Sequence, residues 1–226
     1  MSDATPTTKP LRLVVLISGS GSNLQAIIDA KKNGDLSVDI AAVISNRPQV
    51  QGLTRAQSAG IPTLVIDHKQ FPTRDAFDQE LMSLIDAYEA DLVVLAGFMR
   101  ILTPGFTQHY LGRMFNIHPS LLPKYQGLHT HQRALEAGDS RHGVTVHFVT
   151  AELDGGPACI QASVPILKTD DAGLLAKRVQ KQEHIIYPLA IKWFAEKRLV
   201  MVEGKVMLDG ALLPASGYLI ESQDIH

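Results

Sequence analysis

A doubly wound α/β fold with a mostly parallel sheet is what this chain predicts, followed by a long C-terminal helix and a β-hairpin. Three observations lead there. Short apolar runs alternate with longer segments of helical periodicity. Those runs are near-continuous in Val, Ile, Leu and Ala, as strands covered on both faces are. The first of them passes through a Gly- and Ser-rich loop into a helix start, ISGSGSNLQAI at 17–27.

Taken in order, residues 11–18, 38–45, 62–66, 91–97, 114–118 and 143–149 read as strands. Between them, 23–32 is a short helix with Ser22 placed as its N-cap. The segment 73–88 is a longer one, with Phe77, Leu81, Leu84, Ile85 and Tyr88 on one stripe. Right-handed crossovers then set the loops after the strand C-termini along one rim, where ligands bind. Beyond residue 149 the pattern changes. Residues 159–166 form another strand, and 171–196 a long helix with Leu175, Val179, Ile186 and Trp193 on its apolar side. Pro188 is expected to kink that helix or start a new turn. Residues 199–213 read as a hairpin turning at Glu203-Gly204. There is no repeat and no linker, so 1–10 reads as a flexible tail, 11–217 as one domain and 218–226 as a C-terminal tail.

The 226 residues suffice for one sizeable core. A net charge of -2, with the charges interspersed, leaves no basic face for nucleic acid. Cys159 is the only cysteine, which excludes an intramolecular disulfide and a cysteine-based zinc site and fits a reducing cytoplasm. The run at 11–18 is too short for a signal peptide and no small-residue cleavage site follows it. No segment approaches transmembrane length, so a cytoplasmic location away from membranes is expected.

Four stretches could carry chemistry. The SGSGSN loop presents backbone N–H groups at the positive end of a helix, an anion site whose usual occupant is phosphate. It lacks the lysine of a Walker loop, and Leu24 stands where a dinucleotide fingerprint needs its third glycine. A well-capped tight turn is the alternative. Asn116-Ile117-His118-Pro119 places an amide and an imidazole on one face of a strand that proline then ends. Such a pair can stabilise an oxyanion and move a proton, or simply be satisfied polar groups at a strand end.

Asp154, in the loop Glu152-Leu153-Asp154-Gly155-Gly156-Pro157, would orient His118 and favour its imidazolium if it reaches that ring. Otherwise it is an acidic turn residue. The segment 91–102 ends in Gly97 and an apolar stretch, Phe98 to Leu102, that could hold a flat heterocycle or be plain core. His129-Thr130-His131 has a metal-like spacing with no ligand set around it, and no metal is expected. His142 and His147 frame a strand and read as structural; His68, His109, His184 and His226 join no constellation.

Together SGSGSNLQAI, VISNR, VLAGFMRIL, NIHPSLLPKYQGLHTH and VTAELDGGP resemble the glycinamide ribonucleotide transformylase family, in the family's order and across residues 11–214. The resemblance implies a Rossmann-like formyltransferase fold and transfer of a formyl group from 10-formyltetrahydrofolate to glycinamide ribonucleotide, without metal. On matching positions His118 resembles the acid/base, Asn116 the carbonyl stabiliser and Asp154 the partner that keeps His118 protonated. Gly21, Ser22 and Asn23 would take the ribose phosphate, with Gln180 and Glu183 near the ribose and glycinamide. Arg74, Met99, Arg100, Ile101 and Leu102, with Asn116 and the loop of Thr150, Ala151, Glu152, Leu153 and Asp154, would line the folate site.

This chain has Ser20 where the family often carries Asn, Gln126 where proline is common, and Gln180 where some members carry a basic residue. The implied partners are the two small-molecule substrates, with the protein a monomer or homodimer. Related readings are a methionyl-tRNA formyltransferase, which normally adds a C-terminal RNA-binding domain, and a formyltetrahydrofolate hydrolase, which normally adds an N-terminal regulatory one. The 226-residue length and the lack of a basic patch speak against the first, and the roughly ten residues before the first strand against the second. A non-catalytic phosphate-binding module would leave the Asn/His/Asp set without a role.

Overall fold

The computed structural model describes residues 9–222. Residues 1–8 of the expected N-terminal tail, and 223–226 with His226, lie outside the described residues. Strands β1 (Leu11–Ile17), β2 (Val38–Ser45), β3 (Thr63–Val65), β4 (Leu92–Leu95) and β5 (Met114–His118) alternate with helices. The helices are α1 (Ser22–Lys32), α2 (Gln51–Ser58), α3 (Arg74–Ala87) and α4 (Pro104–His109). There follow α5 (Thr130–Glu136), β6 (Arg141–Phe148), β7 (Ala158–Pro165), α6 (Ala172–Ala195), β8 (Leu199–Val202), β9 (Lys205–Leu208), β10 (Ala211–Leu212) and β11 (Tyr218–Glu221).

The main sheet runs β11-β7-β6-β5-β4-β1-β2-β3. β3 through β5 pair in parallel, β6 is antiparallel to both β5 and β7, and β11 closes the edge parallel to β7. Alternation along β1 explains the two layers of helix. Leu13, Val15 and Ile17 face one core shared with α1, α2 and α6, whereas Val14 and Leu16 face a second core with α3 and α4. Strand order reverses between β1 and β4, so the loops after β1, β4 and β5 open together at a switch point.

Local departures have local causes. Ser22 is not the cap of α1. Gly21 takes that place in the left-handed region at φ 70°, with no side-chain capping bond, and Ser22 is the first helical residue. Helix α6 continues through Pro188 for 24 residues instead of restarting there. Val179, Ile186, Tyr187, Ala190 and Ile191 are all fully buried on it, and that packing outweighs the lost bond to the His184 carbonyl. The hairpin turns where expected, with Glu203 and Gly204 both at positive φ, the geometry that matches strand twist. Residues 218–221, expected as tail, instead form β11, and Trp193 of α6 meets Tyr218 edge-on at 5.3 Å.

Candidate functional site

The site is assembled by the antiparallel step from β5 to β6. That register sets Asn116 opposite His147 and His118 opposite Thr145. Asn116 Nδ2 lies 3.2 Å from His147 Nε2, and His147 Nδ1 lies 2.9 Å from the Phe148 carbonyl. A carbonyl only accepts, so Nδ1 carries the proton and Nε2 accepts from the Asn116 amide. Burial also pushes the His147 imidazole below its ordinary range, which keeps it neutral. The amide is therefore held with its NH₂ end inward, and its second N–H is free to donate. His147 was read from sequence as structural; it is the residue that orients Asn116.

His118 is held from two sides. Its Nε2 donates to the Tyr125 carbonyl at 2.9 Å, and its Nδ1 lies 3.5 Å from Asp154 Oδ2. Both side chains are more than nine-tenths buried. Asp154 sits in the left-handed region at φ 50°, and its Oδ2 accepts from Gly127 N at 2.9 Å.

The Tyr125 carbonyl is in turn positioned by the stretch after Pro119, which folds down onto the sheet. Thr145 Oγ1 donates to the Ser120 carbonyl and accepts from Leu122 N; Gln161 Nε2 donates to the Leu122 carbonyl at 2.8 Å. Thr145 and Gln161 escaped the sequence reading because nothing in their spacing marks them.

At the mouth of β1, Gly21, Ser22 and Asn23 meet the middle of α6, some 160 residues away. Asn23 Nδ2 donates to Glu183 Oε2 at 2.8 Å, and Gln180 Nε2 donates to Ser22 Oγ at 3.2 Å. Burial pushes the Glu183 carboxyl up, and the bond from Asn23 partly offsets it. Asn23 Oδ1 is buried without a hydrogen-bond partner among the described residues.

Three apolar side chains of the expected folate set are open to solvent: Met99, Ile101 and Leu153 are each more than half exposed. Met99 N donates to Ser18 Oγ at 2.7 Å, so the stretch that begins at Met99 hangs from the end of β1. The Arg100 guanidinium lies over the Phe77 ring at 4.8 Å, whereas Leu102 packs against the α3–α4 core. Thr150, Ala151 and Glu152 lead from β6 into the Asp154 loop. Arg74, at the start of α3, is exposed, and its side chain makes no hydrogen bond or ion pair among the described residues. No group of three or more metal-ligating side chains occurs among the described residues, and no helix there is long and apolar enough to cross a membrane.

An amide donor, a carboxylate-backed imidazole and a glycine-rich loop at a helix start lie on one rim, an arrangement suited to group transfer. Residues 11–191 match the model of a family described as formyl transferase. The chain is 57% identical to the phosphoribosylglycinamide formyltransferase of Escherichia coli (strain K12), over 92% of this chain and 98% of that protein. A solved phosphoribosylglycinamide formyltransferase from Coxiella burnetii superposes with a TM-score of 0.90 at 54% identity, covering 93% of this chain and 99% of the other. For glycinamide ribonucleotide transformylase 1 from Symbiobacterium toebii the figures are 0.85 and 46%, over 88% and 94%. The chain belongs to the formyl transferase family, on its phosphoribosylglycinamide formyltransferase branch.

Proposed function

We propose that this chain moves the formyl group of 10-formyltetrahydrofolate to the amine of 5'-phosphoribosylglycinamide, a cytoplasmic step of purine synthesis. The products are formylglycinamide ribonucleotide and tetrahydrofolate. The observation that carries this reading is the convergence of Asn116, His118 and Asp154 at the rim that also bears the anion loop. Helix α1 begins without a side-chain cap, which leaves its first N–H groups to a phosphate. Glu183 and the unpartnered Asn23 Oδ1 are acceptors suited to the substrate's hydroxyl and N–H hydrogens. The exposed apolar side chains of Met99, Ile101 and Leu153 suit the flat ring of the folate, and the exposed Arg74 is a cation for the folate's carboxylates.

The chemistry follows from charge. Attack by the amine turns the formyl carbon tetrahedral and puts negative charge on its oxygen. The free N–H of Asn116 meets that charge together with protonated His118, each donor worth a few kcal/mol. His118 Nε2 is committed to Tyr125, so Nδ1, 3.5 Å from the carboxylate, is the nitrogen with a proton to give. The bond from the formyl carbon to the folate nitrogen then breaks. The proton lost by the attacking amine ends on that nitrogen, carried by His118 or a water.

The test is incubation of purified protein with 10-formyltetrahydrofolate, with and without the ribonucleotide, following folate deformylation spectroscopically. Deformylation that requires the ribonucleotide is the expected result. Loss of formyl without it would point to a hydrolase, and none in either case to a non-catalytic module. His118→Ala and Asp154→Asn should each lower turnover by orders of magnitude with the fold intact; near-normal rates in both would overturn the roles.

A further inference from the structure

The anion loop carries no cation of its own, since residues 18–23 read Ser-Gly-Ser-Gly-Ser-Asn. A phosphate monoester brings roughly -1.5 to -2 charges, and the end of a helix offers only about +0.5. The neighbours supplied by α6 do not close that gap: Gln180 is neutral and Glu183 acidic.

One cationic side chain is hydrogen-bonded to the loop. Arg55 of α2 donates from Nε to the Ser20 carbonyl at 2.8 Å and from Nη1 to Gln25 Oε1 at 3.3 Å. Its Nη2 makes no hydrogen bond, and the guanidinium no ion pair, among the described residues. The half-buried Arg55 is thus hydrogen-bonded only to neutral oxygens and paired with no carboxylate among the described residues, although Asp29 lines the same groove. Helix α2 comes this close because two glycines face each other. A Cβ on Gly21 would lie 2.6 Å from the Gly52 Cα, and Gly52 N donates to the Gly19 carbonyl at 3.0 Å. Ser22, Gln25, Arg55 and His184 line one groove of about 510 Å³ together with the carboxylates Asp29 and Asp35, so the guanidinium opens onto the same space as the loop's serine.

We propose that Arg55 supplies the counter-charge for the substrate's phosphate and sets the preference for the phosphorylated over the dephosphorylated glycinamide riboside. This rests on the ribonucleotide reading above. Arg55 acts on binding and not on the transferred group.

The test compares wild type, Arg55→Gln, Arg55→Lys and, as a control, Lys177→Gln on the exposed side of α6. Glutamine retains a donor for the Ser20 carbonyl but no charge. Expected for Arg55→Gln is a roughly 10- to 100-fold lower kcat/KM for the ribonucleotide, carried by KM, with kcat and the KM for the folate little changed. With the dephosphorylated riboside the two proteins should be nearly alike. Arg55→Lys should recover part of the loss, and Lys177→Gln should show little. An equal loss on both substrates would make Arg55 a mere brace of the loop and overturn the proposal.

Thermal melting with inorganic phosphate separates this from the assignment of the reaction. Phosphate should raise the Tm of wild type more than that of Arg55→Gln. If it does so while wild type formylates nothing, the reaction is wrongly assigned and the role of Arg55 stands. Equal protection of both proteins overturns the role of Arg55 even in an active enzyme.

Discussion

Gly156→Ala tests how the Asp154 loop is held. The new methyl would lie 1.9 Å from the Phe148 carbonyl oxygen, on a backbone that cannot swing aside like a side chain. Reaching even 3.0 Å requires loop and strand to part by at least about 1.1 Å. Two bonds stand in the way: Phe148 N to the Pro157 carbonyl at 3.1 Å, and His147 Nδ1 to the Phe148 carbonyl at 2.9 Å.

Asp154 is two residues upstream, and its bond to Gly127 N at 2.9 Å would stretch toward 4 Å, past the hydrogen-bond limit. A misplacement of about 1 Å at a reacting centre costs on the order of 10²-fold in rate. Overpacking adds about 1–3 kcal/mol of lost stability. The assay is kcat for ribonucleotide-dependent deformylation at saturating substrates, beside a urea melt. Gly155→Ala is the control, because the three atoms nearest its Cβ all belong to the exposed, movable side chain of Glu152. A kcat for Gly156→Ala within about threefold of wild type would refute the account of the loop.

Three further expectations concern groups around the site. His147→Phe removes the acceptor that orients Asn116, so kcat should fall about 10- to 100-fold with the KM for the ribonucleotide unchanged, and His147→Gln should restore part of it. His131 Nδ1 and His142 Nε2 lie 3.1 Å apart and share one proton, and burial, with the His131 charge behind it, pushes His142 down to about 4. Its unfolded value is about 6.5, so only the unfolded chain takes up a proton between those limits. Stability is then full above about pH 6.5 and falls as pH drops toward 4, by roughly 2 kcal/mol at pH 5. Urea midpoints at pH 7.5 and 5 should show that slope in wild type and a shallower one in His142→Phe. Tyr187→Phe leaves the Leu95 and Phe115 carbonyls without their buried donor, so it should cost about 1–2 kcal/mol in a melt and little in kcat.

What was legible in the sequence was what period and composition encode. The β1 run could be read because both faces of it are buried, and β2 and β5 end where the apolar runs end. Helices α2, α4 and α5 are six to eight residues long, too short for a periodic stripe to stand out. Thr103-Pro104 is a signal that can be read: the Thr103 hydroxyl caps α4 and proline opens it. β11 was missed because it is four residues at a sheet edge, and only its pairing with β7 makes it a strand. Ser22 failed as a cap because Gly21, free of a Cβ, turns one residue earlier.

The site divides the same way. Asn116 and His118 share a face by simple alternation, which one strand encodes. His147, Thr145 and Gln161 act through register, a property of two strands that no single stretch contains. Shift β6 by one residue against β5 and His147 would turn to the other face, leaving the Asn116 amide unheld and the Tyr125 carbonyl without its support through Thr145. The residues proposed to face substrate are thus written locally, and those that aim them are written across the sheet. His147 was set aside as structural for that reason: its chemistry is visible only from the strand beside it.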